Sequence, residues 1–210
     1  MLLTPVYDGP PPIAVDGPAD DVLAPFVRQR SRLGARLAEL TPEQWAAPSR
    51  CEGWSAHDVV NHLLVTNGFW EVSIQAGLAG EPTRFLRSFD PAASPAEAAP
   101  GMRSMPVKES LANHALWDSW VHERDVLLPL GLVPSEEVDE IRCCLRFAAA
   151  LGPALSLDRS KGQAGVFVVE PTDGGAPLVV EVGGTVRVRE GDAPAGAGRL
   201  VGGSVALPRR

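Results

Sequence analysis

The stretch His114–Asp125, HALWDSWVHERD, decides how the chain reads, because it sets two histidines and two aspartates among tryptophans and aliphatic residues. At about 100° per residue on a helix, His114, Asp118, His122 and Asp125 fall within roughly one quarter of the circumference, beside Leu111 and Val121. Trp117 and Trp120 lie to the side, so the stripe is not simply the wet face of the helix. A carboxylate buried there without a partner is costly, and Asp118 therefore calls for a histidine, an arginine or a metal ion.

Side chains four apart on a helix stand close enough to chelate one ion. His114 with Asp118 satisfies that spacing, and so does Asp118 with His122, so two overlapping pairs are open on spacing alone. Zinc needs at least one further ligand from another element. His62, in DVVNHLLVTNGFW, is placed to supply it: it shares a helical face with Val59, Thr66 and Phe69, whereas His57 turns to the more polar side. The plainer reading of the same histidines is hydrogen-bonded residues of a core.

Outward from these residues the pattern is helical. Val22, Phe26, Leu33, Leu37 and Leu40 recur as in an amphipathic helix over about 20–40. The turn-rich TPEQWAAPSRCEGW follows, and SAHD at Ser55 offers a side-chain cap for a second helix running to about Ala79. In that turn Gly53 permits a sharp bend and Trp54 reads as a plug for the end of a bundle, while no neighbour in sequence marks Cys51 as a stabilised thiolate. A Pro-, Ala- and Ser-rich connection spans Gly80 to about Pro106. A third helix is expected over about 107–128, stopped by Pro129 and Gly131, and a fourth from Ser135 to near Gly152 with Val138, Ile141, Leu145 and Ala148 inward. From Val166 the period changes: VFVVEP, PLVVEV and TVRVRE read as a small β meander, followed by a short tail. The expected divisions are an irregular arm over 1–19, a helical bundle over 20–158 and a small β-rich region over 159–210, making the fold class α+β.

The 210 residues carry 45% hydrophobic and 21% charged side chains, as in an ordinary globular chain able to bury a core. A formal charge of -7 without a basic stripe argues against nucleic acid as a partner. No run of apolar residues is long enough to span a membrane and the N-terminus lacks a signal-peptide pattern, so a cytoplasmic protein is expected. Cys51, Cys143 and Cys144 form no secreted disulfide framework, and the adjacent pair reads as helix packing.

LAELTPEQWAAPSRCEGWSAHDVVNHLL, followed by WDSWVHERDVLLPLG, resembles the N-terminal domain of mycothiol-dependent maleylpyruvate isomerases, part of the DinB-like superfamily of metal-binding four-helix bundles. The resemblance covers about residues 20–155 and implies three metal ligands, falling on His62, Asp118 and His122. It thereby selects Asp118 with His122 over His114 with Asp118. It also implies a divalent ion, with zinc favoured by N and O ligation and an open position, and mycothiol or another low-molecular-weight thiol as cosubstrate. The implied activity is transfer of the thiol to, or isomerisation of, a small electrophilic substrate. Asp125, nearly one turn past His122, is the candidate to orient a ligand or position substrate, and equally one to accept a bond from Arg124 or Arg28 in a surface pair. The best-known isomerase of the family has glutamate at the position of Asp118, so here a shorter side chain must reach the ion. The C-terminal region is much shorter than that family's second domain, and none of that domain's arginines is carried over. A non-catalytic metal-binding or regulatory bundle, and a zinc-water hydrolase, are the alternative readings; a homodimer is compatible with the sequence.

Overall fold

Ser55 starts the longest of the described helices by a reciprocal cap. Its backbone N–H donates to the Asp58 carboxylate at 2.9 Å, and its Oγ accepts from the Asp58 N–H at 3.2 Å. The computed structural model describes residues 13–16, 20–79, 107–158, 163–173, 175–192 and 194–203. Within them, α1 (Asp20–Ala38), a short α2 (Pro42–Ala46), α3 (Ala56–Leu78), α4 (Val107–Leu127) and α5 (Val138–Asp158) are helical. A 3-10 turn, Leu128–Leu130, ends α4, with Gly131 in the left-handed region at φ 74°, where glycine has no Cβ to clash. The four long helices match the expected bundle. The connection expected over 80–106 lies outside the described residues.

The fourth helix departs from expectation in detail. It begins at Val138 and continues past Gly152 to Asp158. Val138, expected inward, is 80% exposed because it occupies the first, uncovered turn. The buried residues of α5 are instead Glu140, Cys143, Cys144, Leu145, Arg146, Phe147, Ala149, Ala150 and Ala154, a broad band because the helix packs on α1 and α4 on one side and on the sheet on the other. Cys143 and Cys144 are free and buried, as packing residues should be.

The sheet has five strands in the order β1-β4-β3-β2-β5. β2 (Gly165–Pro171), β3 (Leu178–Val182) and β4 (Val186–Glu190) form the expected antiparallel meander. Two strands were not anticipated. β1 (Ile13–Val15), from the arm expected to be irregular, pairs in parallel with β4, and β5 (Gly198–Gly202), from the tail, pairs in parallel with β2. Both are edge strands, of three and five residues, and each pairs in parallel with a strand distant in sequence. Ile13 is buried with Leu145, Phe147, Val169, Leu178, Val180, Val186 and Val188, so sheet and α5 share one apolar core.

A second core is polar. Arg32 on α1 reaches Glu123 on α4 at 2.9 Å and Glu140 on α5 at 2.8 Å, and both glutamate side chains are fully buried. Gln29 adds a bond to Glu123 at 3.2 Å, and Arg28 binds Glu140 at 3.0 Å. Arg124 lies over the Trp120 ring, 3.3 Å from its centroid, and donates to the Trp120 and Ser135 carbonyls. Three helices are thereby pinned by one guanidinium. Arg32→Met should lower unfolding free energy by about 3 kcal/mol, the low end for a broken buried pair, because among the described residues Glu123 then keeps only Gln29 and Arg124, and Glu140 only Arg28. Urea denaturation with an unchanged m-value is the measurement, and adding Glu123→Gln and Glu140→Gln should recover part of the loss.

Candidate metal centre

Asp118 is the polar group on which the centre is built. Its residue is 7% exposed, yet Oδ2 is buried with no hydrogen-bond partner. Its Oδ1 stands 3.7 Å from His62 Nε2 on α3 and 3.4 Å from His122 Nε2 on α4. One ligand atom from each of the three residues can be chosen so that all lie within 4.8 Å of one another. The two imidazole rings meet edge to face, their centroids 5.1 Å apart.

These separations suit a shared cation better than direct hydrogen bonds. Ligand atoms at about 2.0–2.1 Å from a tetrahedral zinc stand roughly 3.3–3.4 Å apart, close to the 3.4 Å between Asp118 and His122 and a little under the 3.7 Å between Asp118 and His62. Hydrogen bonds from N–H to O would be nearer 2.9–3.0 Å. The donor set of two imidazoles and one carboxylate therefore fits a divalent ion at Oδ1, while Oδ2 is a separate buried atom of the same carboxylate. The short side chain of Asp118 reaches because α3 and α4 pack directly on each other.

His114, the competing partner of Asp118, goes elsewhere. Its ring packs against Trp70, Trp117 and Phe147, with centroids 5.5, 5.9 and 5.6 Å away, and its Nδ1 is buried without a hydrogen-bond partner. Burial lowers its pKa, outweighing the opposite pull of Asp118, so it is a neutral aromatic wall. His57 is exposed, as expected. The side chains of Phe69 and Leu111 lie outside the described residues.

Asp125 stands on the far side of His122. Its Oδ2 is 3.1 Å from His122 Nδ1 and 3.5 Å from Cys51 Sγ, and Cys51 Sγ is 3.8 Å from the same Nδ1. Cys51, His122 and Asp125 are thus a second group with metal-ligand chemistry. Burial, then the neighbouring Asp125 charge, raises the Cys51 pKa, which keeps it a thiol in this setting. Sequence reasoning missed Cys51 here, because its approach depends on a tertiary bond from the Arg50 N–H to the Asp125 carbonyl at 3.0 Å. Trp54 is no plug: it is 41% exposed, with its ring 5.7 Å from that of His62.

Arg30 was missed as well. Its guanidinium donates to Asn67 Oδ1 at 3.0 Å and lies 5.4 Å from the Phe26 ring, with Nε buried and unbonded. Burial lowers its pKa, while Asp118 is near enough to pull it back up. Among the described residues Arg30 has no ion-pair partner at contact distance, so it presents positive charge to the same side of the bundle.

The Asp118 carboxylate raises the pKa of His62 against the lowering by burial. Burial pushes Asp118 up, but the contact with His62 and the charge of nearby imidazoles, when these are protonated, bring its pKa below the ordinary carboxylate value. In the metal-free protein, the His62 part of this attraction is complete below about pH 6.5 and lost as pH rises through the raised folded value; the Asp118 part is complete above about pH 4 and lost as pH falls through the depressed one. Asp118→Asn should therefore cost more stability near pH 5.5 than near pH 8, measured by urea unfolding of chelator-treated protein. An equal cost at both would show that the groups are not coupled.

No curated protein matches the chain, and no solved structure does. A family comparison does find a match, over a span that holds the Cys51–Trp54 turn and His62 and stops short of Asp118 and His122. Residues 26–115 match the family described as the mycothiol maleylpyruvate isomerase N-terminal domain, the family that the sequence motifs resemble.

Proposed function

We propose that the chain is a metal-dependent enzyme in which His62, Asp118 and His122 hold a divalent ion, zinc by its ligand set, for reaction of a low-molecular-weight thiol such as mycothiol with a small electrophile. The observation that supports this reading is the convergence of one ligand atom each from His62, Asp118 and His122 within 4.8 Å of one another, on a carboxylate that is largely buried. A bound divalent ion would supply positive charge that favours the thiolate form of a thiol beside it. Three protein ligands leave room for such a small molecule, unlike the closed four-ligand arrangement of a structural site.

The chain's own residues account for orientation and access. Asp125 Oδ2, 3.1 Å from His122 Nδ1, would hold the ring so that Nε2 faces Asp118. Arg30, held by Asn67, would draw negative charge on the thiol or electrophile toward the same wall. His114, Trp117 and Phe147 form an aromatic cluster, with His114 one turn before Asp118 on α4. Conjugate addition of the thiol sulfur to an activated C=C breaks the π bond and leaves the electron pair as an enolate; returning the thiol proton to carbon completes the transfer, whereas rotation followed by expulsion of the thiolate re-forms the double bond in the other geometry.

His62→Ala, Asp118→Ala and His122→Ala should each abolish retention of a divalent ion on dialysis, whereas His114→Ala should largely preserve it. Equal loss in the His114 variant would identify a different ligand pair. In cobalt-substituted protein, titration with mycothiol should change the visible spectrum, because sulfur ligation alters the ligand field. A spectrum unmoved at saturating thiol would remove the thiol chemistry and leave a water-activating or non-catalytic metal bundle.

A further inference from the structure

We infer that the turn from Pro48 to Ser55 is a positioning clamp for the two imidazoles, in which Cys51 holds the Asp125 carboxylate against His122 so that the ring carries its proton on Nδ1 and turns Nε2 toward Asp118. The use of this clamp in catalysis rests on the metal-dependent reading above; the tautomer it imposes does not.

The turn is built to place one side chain. Pro48 and Ser55 are bridged in antiparallel fashion, and within the loop the Ser49 N–H donates to the Trp54 carbonyl at 2.9 Å and the Trp54 N–H to the Cys51 carbonyl at 3.0 Å. The Ser49 hydroxyl accepts from the Cys51 N–H at 3.0 Å and lies 2.8 Å from the Trp54 carbonyl, to which it donates. Gly53, at φ 78°, lets the chain reverse where a side chain would strain it. The loop is then tied to α4 by the bond from the Arg50 N–H to the Asp125 carbonyl, one of the last carbonyls of that helix and so short of helical partners.

This docking leaves Cys51 Sγ 3.5 Å from Asp125 Oδ2 and 3.8 Å from His122 Nδ1. An ionised carboxylate only accepts hydrogen bonds, so the S–H and the Nδ1–H both point at Oδ2. With Nδ1 protonated, the neutral ring has its lone pair on Nε2, the atom 3.4 Å from Asp118. On the other flank of the same turn, Trp54 lies against the His62 ring. Two side chains of one turn, Cys51 and Trp54, thus meet both histidines, which belong to different helices.

The test uses the full chain without metal, at a pH where the imidazoles are neutral. Long-range proton–nitrogen correlation spectra report the His122 tautomer directly. Wild type should show Nδ1–H; Cys51→Ala should shift the population toward Nε2–H, and Cys51→Ser, which keeps a donor, should restore most of the wild-type pattern. Cys51→Val serves if the alanine variant fails to fold. In parallel, cobalt affinity should fall about 10–100-fold in Cys51→Ala, the range expected for loss of a group that orients a ligand, with the melting temperature of the metal-free protein little changed. An unaltered tautomer in both Cys51→Ala and Cys51→Val, or a wild type already in the Nε2–H form, overturns the clamp even when cobalt binds. A tautomer that responds in a protein that binds no cobalt upholds the clamp and removes the metal reading instead.

Discussion

The rotation of α4 about its own axis is the constraint on which everything else hangs, and a single guanidinium sets it. Arg32 joins Glu123 of α4 to Glu140 of α5 in the buried interior. Glu123 directly follows His122, so fixing the glutamate toward α1 and α5 turns the preceding residue about 100° away, toward α3. A rotation of α4 that brought His122 into the apolar core would have to expose Glu123 or break both ion pairs. Buried pairs of this kind contribute little net stability relative to apolar packing, but breaking one partner is costly, which makes them effective at excluding alternative packings.

This explains why α4 has no apolar face in the ordinary sense. Leu116, Trp120, Val126 and Leu127 are buried, and so are Asp118, Ser119, Glu123 and Arg124. The helix lies at the centre, packed on α1, α3 and α5, and each side is matched to a different neighbour. The ion-pair network faces α1 and α5, the His122–Asp118 side faces α3, and Trp117 meets Phe147 near the sheet-facing core. The described sheet packs chiefly on α5, so the walls of the candidate centre come from α1, α3, α4 and the turn before α3.

Much of this was legible in the residues. The helical period of Val22, Phe26 and Leu33, the Ser55–Asp58 cap and the Pro129–Gly131 stop are local signals, and local signals set helix boundaries. The spacing of Asp118 and His122, with His62 on the next helix, was equally readable, although choosing it over His114 needed the family resemblance. What stayed hidden was non-local. Ile13–Val15 becomes a strand only because β4 offers a free edge, and its three residues carry no period of their own. Val138 looked like the start of an apolar stripe, yet the first turn of α5 has nothing above it. Arg32, Glu123 and Glu140 have the composition of a solvated face, and only their convergence from three helices makes them interior.

The centre illustrates the same division between local and tertiary causes. An imidazole has two nitrogens, and a helix can aim the ring but cannot choose which nitrogen bears the proton. For His122 that choice falls to Asp125, on its own helix at a spacing any helix provides, and to Cys51, which arrives from a turn some seventy positions earlier in the chain. The bond that docks the turn uses the Asp125 main-chain carbonyl, while the Cys51 thiol meets the Asp125 side chain. Position and proton are therefore set at one residue: any shift of the turn that misplaces the thiol must also break the backbone contact. A site assembled in this way owes its geometry to the packing of whole helices, and its protonation to a short loop that the packing brings within reach.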